Sequence, residues 1–319
     1  MLVALSSHAF LAESLKWRHD EEDSPMSKHA SETPVIVPRE KLDFDLEGDI
    51  PQYWFAGDAF KTRYFDAMST IFPEGERYFI SCVRDYRDRI TDPQLLTDVK
   101  HFMRQEGQHG IVHSQYNDRL RRQGIDVDKL EAFQRHVMFN IARKHFPAAV
   151  TLADTAAAEH LTATMAEALC EDATVLAQAD PRMRAMYAWH AMEEMEHKAV
   201  AFDVLQKVAK VGYLRRTLAL VFVTLGFNLN VLLTTSYMLK VDGFSRAQRW
   251  KMITQGLWWL FGWNGLYSRL TGKYLRYFKP GFHPWDTGVI KSYQVWVDTY
   301  NRTGDPIQAG EALQALHAA

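Results

Sequence analysis

From about Pro51 onward the apolar positions recur every three to four residues, the spacing of helix faces. Pro73 suits the first turn of a helix whose Phe72, Phe79, Ile80 and Val83 share one side. Asp92-Pro93 opens a second long helix that runs past Val99, Phe102 and Met103 to Gly124. A third segment spans roughly Asp128 to Arg143. Pro147 begins an alanine-rich helix to about Cys170, and Asp180-Pro181 begins another to about Lys210. Strand-type alternation with paired turn signals is not found, so the expected fold class is all-α. Four of these helices are long enough, at ~1.5 Å per residue, to form a four-helix bundle over 51–210.

The flanks differ from this middle. Residues 1–50 carry the charged run Arg18 to Asp23 and a Pro/Ser-rich stretch after it, and read as a flexible tail in which Met26 is a candidate natural start. The opening MLVALSSHAFLAESLKW lacks a basic n-region and a long apolar core, so it does not read as a signal peptide. Residues 211–319 form a hydrophobic helical extension. Between Arg216 and Lys240 lie 23 uncharged residues, long enough to span a bilayer, but diluted by Asn228, Asn230 and threonines. WKMITQGLWWLFGWNGLYSRL then sets Trp250, Trp258, Trp259 and Trp263 close together, as at a membrane interface. Residues 217–268 are therefore expected either to touch a membrane as a hairpin or to pack on the bundle or in a homodimer.

Composition narrows the class. Lys plus Arg is 37 and Asp plus Glu is 39, so no basic field argues for nucleic acid. Cys82 and Cys170 form no C-x-x-C pair, which speaks against a thiolate zinc site or a disulfide framework and for a reducing cytoplasm, with the inner membrane face as a candidate address.

The candidate chemistry lies on the bundle helices. WHAMEEMEHKAVAFD puts Glu194 and His197 three residues apart on one helix face, and HFMRQEGQHGIVH does the same with Glu106 and His109. The other two helices offer Glu76, on the face of Phe72 and Phe79, and Glu159, on the face of Leu152, Thr155 and Ala156. Burying either carboxylate alone costs several kcal/mol, so a cation has to compensate. The order is Glu76, Glu106-x-x-His109, Glu159, Glu194-x-x-His197, with 30 and 35 residues from each lone glutamate to its E-x-x-H. The two halves therefore look like a repeated helix pair related by a pseudo-twofold axis.

This pattern resembles the ferritin-like di-iron carboxylate superfamily, in which two helices give one Glu each, two give Glu-x-x-His, and all point inward. FPEGERYFISCVRDY, FMRQEGQHGIVHSQYN, AAAEHLTAT, WHAMEEMEHKAVAFDV and KPGFHPWD further resemble a bacterial family of predicted metal-dependent hydrolases, over roughly residues 35–300. The H-x-x-x-E-x-x-H of His190, Glu194 and His197 is similar to that of bacterial di-iron arylamine N-oxygenases. That resemblance adds His190 to the metal shell but carries no substrate with it. The implied metal and catalytic set is Glu76, Glu106, His109, Glu159, His190, Glu194 and His197, around two Fe ions, with Mn or Zn as alternatives.

Neighbours of this set divide. His113 shares the face of His109 and is either a supporting group or a satisfied core histidine. Glu193, at i−4 from His197, is either a supporting group or a ligand in shifted register. Glu196 lies off the face and is expected in solvent. His160 reads as structural, His283 belongs to a loop motif of unassigned role, and Tyr78, Tyr116 and Tyr187 read as core aromatics. Three functions follow. The first is an O₂-activating oxidoreductase that acts on a small hydrophobic substrate and draws on an external electron donor. The second is a two-metal hydrolase. The third is a non-catalytic iron-handling or membrane-associated protein.

Overall fold

The computed structural model describes residues 33–172 and 175–318. Residues Pro34–Ala319 cluster as one compact unit. Twelve helices matter here: α1 (Ala59–Ser69), α2 (Phe72–Arg84), α3 (Pro93–Arg122), α4 (Val127–Arg135), α5 (Ala148–Cys170), α6 (Pro181–His197), α7 (Val200–Asp203), α8 (Tyr213–Val241), α9 (Arg246–Phe261), α10 (Thr271–Leu275), α11 (Tyr293–Thr303) and α12 (Pro306–Ala318). Among the described residues the only β-type pairing is an isolated bridge between Phe55 and Ala179, so the fold is all-α.

Local chemistry explains the starts. Asp92 caps α3 by accepting from the backbone N–H of Gln94 and Leu95, with Pro93 behind it in the first turn, where its missing N–H costs nothing. Asp180 and Pro181 repeat the arrangement at α6. In α2, Pro73 lies within the first turn, as expected. α4 continues through a π-helical stretch, His136–Ala142, and a last turn, Arg143–His145.

α2 packs on α3, α5 on α6, α2 on α5 and α3 on α6, which makes the four-helix bundle. α8 lies along α5 and α1, and α12 lies on α6. The apolar interior falls into two clusters. One contains Val112, Tyr116, Leu161, Met192 and Met195; the other contains Val83, Val99, Phe102, Leu152, Ala157 and Val200. Along α3, α5 and α6 the boundary between them falls at Glu106–His109, Glu159 and Glu194–His197. The bundle core is thus interrupted by one polar layer.

Two expectations are corrected. Residues 34–50, expected within a flexible tail, are packed instead: Ile36, Arg39, Phe44, Leu46 and Ile50 are buried, and Phe44 meets Trp189 at 5.4 Å between ring centroids. The cause is long-range packing that local composition does not display. Residues 1–32, with the charged run and Met26, lie outside the described residues. The helix expected to run from Pro181 to Lys210 breaks after His197, resumes as α7 and ends in a π-helical stretch, Val204–Val208. At the break the buried Lys198 donates to Thr287 Oγ1 at 2.9 Å and to the Gly288 carbonyl, and sits over the Trp285 ring.

Candidate metal centre

The polar layer gathers all seven expected residues. Donor atoms of Glu76, His109 and His190 lie within 4.8 Å of one another, as do those of Glu106, Glu194 and His197, and every one of these residues is buried. Two carboxylates span the groups. Glu106 Oε1 is 3.1 Å from His197 Nε2 and 3.7 Å from His109 Nδ1. Glu194 reaches His190 Nε2 at 3.1 Å through Oε1 and His197 Nε2 at 3.7 Å through Oε2. Glu159 joins from α5, with Oε2 at 3.4 Å from His197 Nε2.

These contacts leave much unsatisfied. Both oxygens of Glu76, Glu106 and Glu159, together with His109 Nδ1 and His197 Nε2, are buried and find no hydrogen-bond partner. Buried polar atoms are ordinarily paired, and each that is not costs about 1–3 kcal/mol or more if charged. Eight such atoms converging on one spot are what an oxygen- and nitrogen-coordinated cation pair requires. Four carboxylates also match the charge of two divalent ions, so the residues present fit a dinuclear metal group.

The outward sides of the histidines are held. His109 Nε2 faces Glu193 Oε2 at 3.1 Å, and His197 Nδ1 faces Gln105 Oε1 at 2.9 Å. Those partners assign the ring protons to Nε2 of His109 and Nδ1 of His197, which leaves the opposite nitrogens bare toward the cluster. His190 Nδ1 meets His113 Nε2 at 2.9 Å, His113 Nδ1 meets Ser69 Oγ at 2.9 Å, and Ser69 donates to Asn117 Oδ1. His113 and Glu193 thus contact the rings of His190 and His109 from outside the cluster. Thr162 Oγ1 donates to Glu194 Oε2 at 2.6 Å.

Burial dominates the electrostatics. It pushes Glu76 and Glu159 well above the usual carboxylate range, and the neighbouring carboxylates push the same way. Burial also drives His109 and His113 well below the usual imidazole value, with His190 adding to it. At Glu194 burial is overcome by His190 and His197, which hold its carboxyl well down. At His197 burial is likewise overcome, here by Glu106 and Glu194, which raise the ring well above the usual imidazole value. With protein groups alone, then, the spot where donors converge attracts positive charge.

Glu196 is the main correction. It is 1 % exposed, not in solvent, because Arg39 reaches it at 2.7 Å, Tyr293 at 2.7 Å and Gln105 at 2.7 Å. Arg39 also pairs with Glu193 at 3.1 Å. Burial brings the Glu193 carboxyl up to about 7 in spite of that arginine. Gln105, Arg39, Ser69, Asn117 and Thr162 were not foreseen. Two of them carried a sequence signal: Gln105 stands next to Glu106, and Thr162 shares the helix face of Glu159. His160 is structural, its Nε2 at 3.2 Å from the Tyr274 carbonyl. Tyr187 bonds the Phe65 carbonyl, and Tyr116 bonds Asp66. His283 meets Asp203 at 3.1 Å, so the GFHPWD motif braces the chain just after α6.

A family model described as predicted metal-dependent hydrolase matches residues 38–288. The chain belongs to that family. The matched span of this metal-dependent hydrolase family takes in every member of the cluster and Arg39, while Tyr293 lies beyond it. No curated protein and no solved structure matches the chain.

A narrow cavity of about 30 Å³ lies beside His190 and Glu194, lined also by Phe72, Thr162 and Tyr187. A larger one of about 480 Å³, within the size range of small-molecule sites, runs between α2, α4, α5 and α8. Phe72 and Thr162 line both, and Glu76 lines the larger.

Proposed function

We propose that the protein is a dinuclear metal enzyme of the ferritin-like di-iron kind that oxidises a hydrophobic substrate with O₂. The observation that carries the reading is the convergence of eight unpartnered buried donor atoms on one layer of the bundle. Glu76, Glu106, His109, Glu159, His190, Glu194 and His197 would hold the metal. Two iron ions, when bound, supply the capacity to activate O₂; an external donor supplies the electrons. The set is rich in carboxylate oxygen and lacks the thiolates of closed tetrahedral zinc sites, which suits iron or manganese. The chain's own residues do the remaining work. Glu193 and Gln105 fix the rings of His109 and His197, and His113 fixes His190. Thr162 orients Glu194, while Phe72 and the apolar wall of the larger cavity exclude water and admit an apolar molecule.

Two-metal hydrolysis is the second reading, and the family description favours it. The same ligands would then hold ions that activate water. The two separate in one experiment. Protein loaded with Fe(II) and given a chemical reductant is followed for O₂ uptake with hydrophobic substrates, and the Mn- or Zn-loaded protein is assayed for ester hydrolysis without O₂. Substrate-dependent O₂ uptake that disappears in Glu106→Ala supports oxidation. Hydrolysis by the Mn or Zn form, with no O₂ response of the iron form, overturns it.

A further inference from the structure

α8 has two unlike sides. Thr235, Met238 and Leu239 are buried on the side that rests on the bundle, and the half-buried Asn230 donates to Gln134 Oε1 at 2.9 Å. On the other side Leu214, Leu218, Phe222, Leu225, Leu229 and Leu233 are 46–69 % exposed. Their spacing is that of one helix face, about 28 Å long at the helical rise. Only 28 % of the helix's most apolar window is buried, which is unlike the core helix of a soluble domain. Because its other side is held by α1 and α5, the helix does not cross a bilayer by itself. From Arg215 to Lys240 there is no acidic residue, and both of those end cations are exposed.

The same face is the rim of the 480 Å³ cavity: Phe222, Leu229 and Leu233 of α8 line it together with Phe133 and Val137, also exposed. The cavity thus opens through the apolar surface and ends inside at Glu76 and Thr162. A second protein seated on that surface would cover the mouth. A bilayer would instead fill it from its own hydrocarbon, with anionic headgroups meeting the cations at the ends of the stripe.

We propose that α8 seats the protein on an anionic phospholipid surface, and that the cavity beneath it receives the hydrocarbon chain of a membrane lipid and leads it to the Glu76–Thr162 end. Lipid binding stands alone; that the chain reacts there rests on the metal-centre reading above.

The test uses the full-length protein, phosphatidylcholine–phosphatidylglycerol vesicles for docking, and cis-parinaric acid fluorescence for the cavity. Wild type is expected to float with the vesicles, and Leu218→Glu/Leu225→Glu to lose about tenfold or more of that binding. Neither residue lines the large cavity. Gly226 does line it, and a Cβ there meets nothing within 4 Å, so Gly226→Trp fills the space without a backbone clash. This variant is expected to float normally, keep its metal content and lose parinaric acid binding. The docking claim is overturned if wild type stays free of vesicles while Leu225→Glu splits a dimer seen by sedimentation. Flotation without parinaric acid binding overturns the cavity claim. Lipid binding as expected in a protein that takes up no metal upholds this inference while the metal reading fails.

Discussion

Gly110 shows how closely the layer is fitted. It stands one turn after Glu106 in a long helix, where glycine costs about 1 kcal/mol relative to alanine. A Cβ at this position would be 3.1 Å from Glu76 Oε2, so the glycine makes room for a carboxylate from the facing helix. Gly110→Ala is expected to fold with stability within about 1 kcal/mol of wild type yet to weaken metal binding about tenfold or more, as calorimetric titration would read. Unchanged affinity would mean that Glu76 does not lie against Gly110 when metal is bound. Asp154 offers a test away from the cluster. Burial raises its carboxyl to about 7, above its unfolded value, with Tyr78 opposing. The folded state therefore holds the proton more tightly, and stability is lost as pH rises from about 4 through about 7. Asp154→Asn should be more stable than wild type at pH 8, by about 1–3 kcal/mol, with the gain vanishing toward pH 4. Thermal melts at the two pH values check the sign. At this scale the sequence reveals the candidate ligands readily, because helical spacing puts Glu106 with His109 and Glu194 with His197. It does not reveal Glu196, whose neighbours come from other parts of the chain.

Residues 34–50 tie the site to the start of the fold. Arg39 lies under Trp296, 5.1 Å from the ring centroid, and carries the charges of Glu193 and Glu196, both fully buried. Glu193 in turn holds His109, so a strap before the bundle supports a ring inside it. Removing one partner of a buried pair leaves the other charge uncompensated. Arg39→Ala is accordingly expected to cost about 3–5 kcal/mol in urea unfolding, and to loosen metal binding as well. A loss under about 1 kcal/mol would show that the strap is ornamental. The bundle helices are foreseeable because caps, prolines and apolar periodicity are local. The strap is not, because Arg39 and its partners are separated by more than 150 residues. The break after His197 is hidden for a similar reason: Lys198 finds its acceptors on a loop near residue 287.

Over the whole molecule, two apolar clusters close on a single polar layer, and one long helix presents an apolar face outward. The first feature buries the layer, so its unpartnered carboxylates call for a cation. The second gives the adjoining cavity an apolar mouth. Sequence periodicity shows the layer's buried carboxylates and histidines and its all-α setting, and the family match extends over the same helices. What it does not show is the sharing of Glu106 and Glu194 between both donor groups, which depends on how four helices meet. That sharing is the centre of the account, and metal counting tests it directly. Protein isolated without oxygen and loaded with Fe(II) should hold about two ions per chain, and Glu106→Ala or Glu194→Ala should each lose both together while remaining folded. One ion per chain, or two that survive either substitution, would contradict a shared dinuclear centre.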